Sequence, residues 1–130
     1  MSAAPDVEYF PIPGNSRLPF SEAVRVGSML YLAGQMGTDA NGKIVAGGIE
    51  NETRQALANM RTVLERHGSS LNHVVRITCM LADMSEWSTM NAVYVTHFPE
   101  HLPARSAFGA SGLALGGRVE FECTATVGQV

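Results

Sequence analysis

Two side chains near the end of the chain could do chemistry. Arg105 lies in Pro103-Ala-Arg-Ser-Ala-Phe108, and Glu120 lies in Gly117-Arg-Val-Glu-Phe-Glu-Cys123. Between Arg105 and Gly117 there is no acidic residue. A guanidinium in or near a core is costly unless an ionic partner meets it. Either Glu120 or Glu122 pairs with Arg105 as a structural ion pair, or Arg105 is left for an anion from outside. The second option makes this a site for a small carboxylate. A planar guanidinium matches a carboxylate with two parallel hydrogen bonds, and the pair is strong where water is excluded.

Other candidate chemistry is weaker. His97 and His101 are four apart, as metal ligands on a helix would be, but Pro99 between them breaks the helix. Cys79 and Cys123 have no Cys-x-x-Cys spacing and read as small buried hydrophobes in a reducing cytoplasm. The glycine-rich Ser111–Gly117 segment lacks the Lys-Ser/Thr ending of a phosphate loop. No metal or cofactor is expected. His67 and His73 flank a turn and are expected in solvent, and Trp87 is expected to anchor a helix.

The 130 residues suit one domain around one core, and 45% hydrophobic content fits a globular protein. A net charge of −3 with scattered basic residues argues against a nucleic-acid partner. The first residues show no basic region followed by an apolar one, and no apolar run reaches the ~18 residues of a membrane span, so a cytoplasmic location with no membrane partner is expected.

The elements that must position these residues follow from periodicity. Residues 1–19, rich in proline and turn formers, predict an irregular arm. Strands are predicted over Ala23–Val26 and Met29–Ala33, joined at Gly27-Ser28, with a short strand at Lys43–Ala46. Asn51–His67 predicts a helix. Ile49, Thr53, Ala56, Leu57, Met60, Val63, Leu64 and His67 share its apolar face, Asn51 is its N-cap and Gly68 its terminating glycine. Val74–Leu81 reads as a central strand. Asp83 and Glu86 form a capping box for a second helix carrying Trp87, Met90, Val93, Tyr94 and His97 or Phe98, ended by Pro99. Ser106–Ala110 and Arg118–Val127 complete the strands. In the last one Val119, Phe121, Cys123 and Ala125 alternate with Glu120, Glu122, Thr124 and Thr126. The expected fold is α/β (α+β): a mixed sheet with two helices on one face, the other face covered by further copies of the chain.

The sequence resembles the Rid family (YjgF, or L-PSP endoribonuclease-like) over nearly the whole domain. The resemblance rests on Pro19-Phe-Ser-Glu-Ala-Val-Arg-Val-Gly27 through Leu32-Ala-Gly-Gln35, on Thr53-Arg-Gln-Ala-Leu-Ala-Asn-Met60, and on Pro103-Ala-Arg-Ser106 with the spaced Val119-Glu120. It implies a chorismate-mutase-like fold and a homotrimeric barrel with clefts between subunits. It also implies hydrolysis of reactive enamines and imines, such as 2-aminoacrylate or 2-iminobutanoate, to 2-keto acids and ammonia. Arg105 would then grip the substrate carboxylate, and Glu120 would orient the attacking water and take its proton, with Glu122 the competing acid. Substrate would also meet Phe20, Ala33, Gly34 and Ala107. Phe20 stands where characterised deaminases often carry tyrosine, Ala107 where they carry cysteine, and Ala33 where they carry serine. Each change makes the expected pocket less polar. Two other functions stand beside the deaminase: a non-catalytic carboxylate-binding or chaperone-like trimer, and a single-stranded RNA endoribonuclease or translation inhibitor.

Overall fold

A computed structural model describes residues 6–14 and 16–128. Seven strands and two helices appear in the order β1 (Val7–Phe10), β2 (Ala23–Val26), β3 (Met29–Leu32), β4 (Gln35–Met36), α1 (Ile49–Arg66), β5 (Val74–Leu81), α2 (Trp87–Tyr94), β6 (Ala104–Gly109) and β7 (Val119–Thr126). The sheet runs β1-β2-β3-β7-β5-β6, with β4 also paired to β7. Only β5 and β6 are parallel, because a helical crossover, α2, joins them. The fold is the expected mixed sheet with two helices.

Both helices cover one face. The core joins Ala56, Leu57, Met60 and Leu64 of α1 and Met90 and Tyr94 of α2 to Leu30, Ile77, Leu81 and Phe121 of the sheet. The period-two alternation of β7 holds: Val119, Phe121, Cys123 and Ala125 are buried, while Glu120, Glu122, Thr124 and Thr126 look away from the helices. Cys79 and Cys123 are buried free thiols, as expected.

Several local expectations are corrected. The arm is not wholly irregular, because Val7–Phe10 pairs antiparallel with Ala23–Val26; residues 1–5 and 15 lie outside the described residues. Lys43–Ala46 is no strand. It makes one bridge, Ile44 to Thr38, while Gln35–Met36 takes the place beside β7. Helix α1 starts two residues before Asn51, capped by Gly48 at φ 79° with no side-chain cap. Asn51 instead donates from Nδ2 to the Ala46 carbonyl at 3.0 Å, bracing the turn that leads in. Asp83 caps a short 3₁₀ turn by accepting from the Ser85 amide at 2.9 Å, and Glu86 binds Arg118 rather than closing a capping box. Gly68 lies just past α1 at φ 81°, as a terminating glycine should.

Among the described residues two carboxylates are buried, Glu22 and Glu52, and each has a cationic side chain beside it. Glu22 meets Arg66 and, at 2.7 Å, His67 Nε2. Phe10 stacks on the His67 ring at 4.2 Å. His67 therefore ties β1 and β2 to the end of α1 instead of lying in solvent. His73 is half-buried with its Nδ1 2.6 Å from the Ser70 hydroxyl. Glu52 accepts the Arg118 backbone N–H at 2.8 Å and lies 3.7 Å from the Arg118 guanidinium, which also reaches Glu86 at 3.0 Å.

Candidate active site

Strand β6 ends the sheet, and its register sets the direction of Arg105. Arg105 lies beside Ile77 and Ala107 beside Cys79, both buried, so Arg105 and Ala107 face the helix layer. The Arg105 Cζ lies 4.7 Å from the Tyr94 ring centroid and 5.9 Å from that of Trp87. Among the described residues, none of the ion pairs includes Arg105. A half-buried cation has therefore been placed against two aromatic faces and given no counter-ion.

An open cavity of about 310 Å³ adjoins it, lined by Asn91, Tyr94, Val95, Leu102, Pro103 and Arg105. Asn91 Oδ1 and the Tyr94 hydroxyl are buried there without a hydrogen-bond partner. Burial pushes the Cys79 thiol up to about 11, partly opposed by Arg105, and the Tyr94 phenol up to about 12. Both stay neutral at pH 7, so neither quenches the guanidinium. Val95, Leu102 and Pro103 make the cavity mouth apolar, which suits a small organic acid rather than a hydrated inorganic anion.

Glu120 belongs to a second, separate group. It lies beside Met36 on one side and Met80 on the other, on the sheet face away from the helices. Its carboxyl packs against Gly34, where a Cβ would come within 2.0 Å of Oε2. A side chain at Gly34 would displace the Glu120 carboxyl, the far end of a flexible side chain. The segment is held from behind by Asn59 of α1, whose Nδ2 donates to the carbonyls of Met36 at 2.8 Å and Thr38 at 3.0 Å. Ala33, half-buried, precedes Gly34 and donates its N–H to the Glu22 carbonyl at 3.0 Å. Burial, and secondly the neighbouring Glu122 charge, raise the Glu120 pKa above its ordinary value. A carboxylate in that state is a better proton acceptor than a solvated one.

The residues singled out from the sequence therefore fall into two sets. Arg105 and Ala107 come together, and so do Glu120, Gly34 and Ala33. The sets do not meet within one chain, since Ile77 and Met80 mark them as three residues apart along β5, roughly 10 Å, and on opposite faces. An Arg105–Glu120 ion pair inside the protomer is thereby ruled out. Phe20 is exposed in the connection between β1 and β2. Trp87, expected to anchor a helix, opens α2, is 41% exposed and stands over Arg105. Sequence reasoning missed Asn91 and the site role of Tyr94. The available signal was connectivity: a helix between parallel neighbours packs across them, so α2 had to lie over the Arg105 strand.

Comparison with known proteins places the chain. Residues 14–127 match the family described as Endoribonuclease L-PSP. The 2-iminobutanoate/2-iminopropanoate deaminase of Mus musculus is 42% identical over 111 residues, spanning 85% of this chain and 82% of that protein. The Homo sapiens protein of the same name is 39% identical, covering 85% and 81%. Among solved structures, yeast YEO7 superposes with a TM-score of 0.84 at 32% identity over 97% of this chain and 98% of its own. RidA from an Antarctic Psychrobacter superposes at 0.82 with 30% identity, covering 97% and 100%. The chain belongs to the endoribonuclease L-PSP (YjgF) family. Among the described residues no helix is long and apolar enough to cross a membrane.

Proposed function

We propose that this protein hydrolyses small 2-imino or 2-enamino acids to 2-keto acids and ammonia. The observation that carries this reading is the Arg105 guanidinium, held without a protein counter-ion at the wall of a cavity. Relatives about 40% identical carry a 2-iminobutanoate/2-iminopropanoate deaminase name, which supports the same chemistry.

Arg105 binds the substrate carboxylate through two hydrogen bonds and so fixes the adjacent imine carbon. Water, oriented by Glu120, adds to that carbon as its proton passes to the carboxylate. The substrate reacts as the protonated imine, an enamine first taking a solvent proton on its β-carbon. The resulting neutral carbinolamine takes the proton back from the carboxyl onto nitrogen. The C–N bond then breaks to release ammonia, and the hydroxyl proton passes to the carboxylate or the ammonia, leaving the 2-keto acid. No external oxidant or reductant is needed. Arg105 and Glu120 lie on opposite faces of one protomer, so the complete site forms between copies. Each copy offers its β6 edge to the Glu120 face of the next, and a head-to-tail ring closes the set. By family resemblance the ring is a trimer. Phe20, Ala33, Gly34 and Ala107 then line the substrate, with only backbone polar groups from the last three.

The test generates 2-iminobutanoate in situ with an amino-acid oxidase, traps free imine with semicarbazide, and adds the protein. Native protein is expected to reduce semicarbazone formation, and Arg105→Ala to leave it unchanged. Identical traces for both proteins across several imines would sink the reading. The carboxylate-binding alternative then survives if 2-oxobutanoate still binds to native protein and not to Arg105→Ala. Cleavage of single-stranded RNA would instead restore the ribonuclease reading, which the net charge of −3 disfavours.

A further inference from the structure

We infer that Tyr94, with Trp87, is a positioning element for Arg105: an aromatic cradle that holds the guanidinium in place without neutralising it. The inference rests on the reading of Arg105 as a carboxylate clamp and adds how the clamp is kept both ordered and free.

A long side chain with five donors and no partner samples many rotamers, and ordering it on each binding event costs affinity. The usual remedy is a carboxylate, as at Arg66 and Arg118 in this same chain. At Arg105 that remedy would compete with the substrate for the same donors. An aromatic face attracts the cation through its quadrupole yet accepts no strong conventional hydrogen bond from it. The donors stay available. The Cζ-to-centroid distance of 4.7 Å to Tyr94 lies well inside the range for this attraction, and 5.9 Å to Trp87 is near its limit. Tyr94 is 4% exposed and in contact distance of Phe98 and Phe121, so the ring itself is locked by the core. Burial keeps its phenol protonated, so it brings no negative charge to the guanidinium. The cradle thus transmits the rigidity of the core to an arginine on the last strand of the sheet.

The role is assigned to the ring face. The Tyr94 hydroxyl makes no hydrogen bond of good geometry, but it lies close enough for Arg105 to favour its ionised form, and Tyr94→Phe separates the two contributions. Binding of 2-oxobutanoate to the full-length protein is measured by calorimetry for the native chain, Arg105→Ala, Tyr94→Phe, Tyr94→Leu and Trp87→Leu. Tyr94→Phe is expected to bind within about twofold of native, and Tyr94→Leu about tenfold more weakly. Trp87→Leu, at an exposed position, is expected to lose about threefold and Trp87→Phe to recover most of it. A folded Tyr94→Leu that binds like native overturns the proposal, as does a Tyr94→Phe as weak as Tyr94→Leu. Should Tyr94→Leu not fold, the Trp87 pair decides: native-like binding by both overturns it, and loss restored by phenylalanine supports it. The titration needs no turnover. Arg105-dependent, ring-dependent binding without imine hydrolysis would end the deaminase reading and leave the cradle standing; hydrolysis with ring-independent binding would do the reverse.

Discussion

Two arginines in this molecule sit beside the helix layer and are treated in opposite ways. Arg118 is saturated: Glu52 takes its backbone N–H, and Glu86 and Glu52 both reach its guanidinium. Among the described residues Arg105 has two aromatic rings and no acid. The first arrangement fixes where β7 begins and how the turn before α2 docks. The second keeps a charge in reserve. Arg118 is closed by ion pairs within the chain, whereas Arg105, like half-buried Arg25, forms no ion pair among the described residues. What sets Arg105 apart is the aromatic pair and the adjoining cavity, and under the proposed function that open charge is the one a ligand would meet.

This contrast can be broken by experiment. Arg105→Ala should abolish substrate binding, with a loss on the order of 10³-fold in kcat/KM. It should leave the thermal midpoint nearly unchanged, because no protein acid is orphaned. Glu120→Gln should cost on the order of 10²-fold in kcat. Its stability effect runs the other way. A carboxyl whose pKa is raised on folding favours the fold in its protonated form, and that contribution is lost as pH rises through the folded-state pKa. The neutral amide should therefore match or exceed the native thermal midpoint at pH 7. Gly34→Ala, which drives a methyl into the Glu120 carboxyl, should lose roughly tenfold or more in kcat while binding 2-oxobutanoate normally.

On the saturated side, Glu52→Ala should lower stability by about 2 kcal/mol in denaturant melts, since the Arg118 amide loses its acceptor. Equal stability for Glu52→Ala and Arg105→Ala would erase the distinction between the two arginines. The smallest effect concerns Glu122→Gln. Removing that neighbouring charge lowers the Glu120 pKa, so the acid limb of the pH–rate profile should move to lower pH.

Periodicity made much of this fold readable. The α1 face and the alternation of β7 follow from spacing alone, and they correctly place Glu120 away from the helices. Arg105 was harder. Its direction depends on the parallel register of β6 beside β5, a long-range pairing that a short strand of mixed residues does not announce. The partners of His67 were invisible for a related reason, because Glu22 is 45 residues distant and meets it only once β2 and α1 are assembled. The start of α1 was misplaced because a glycine pair at positive φ, not the Asn51 side chain, begins the helix.

Strand β6 has one hydrogen-bonded neighbour, β5, and lies at the end of the sheet order. Of the longer strands it is the least costly to peel away, because detaching it severs a single ladder and exposes few buried side chains. Amide exchange in an isolated protomer should therefore be fastest there and slow when a second copy seals that edge. The complete site, with Glu120 of a second copy, would then be acquired at assembly rather than at folding, so dilution below the dissociation constant of the oligomer would switch the protein off while its core remained intact.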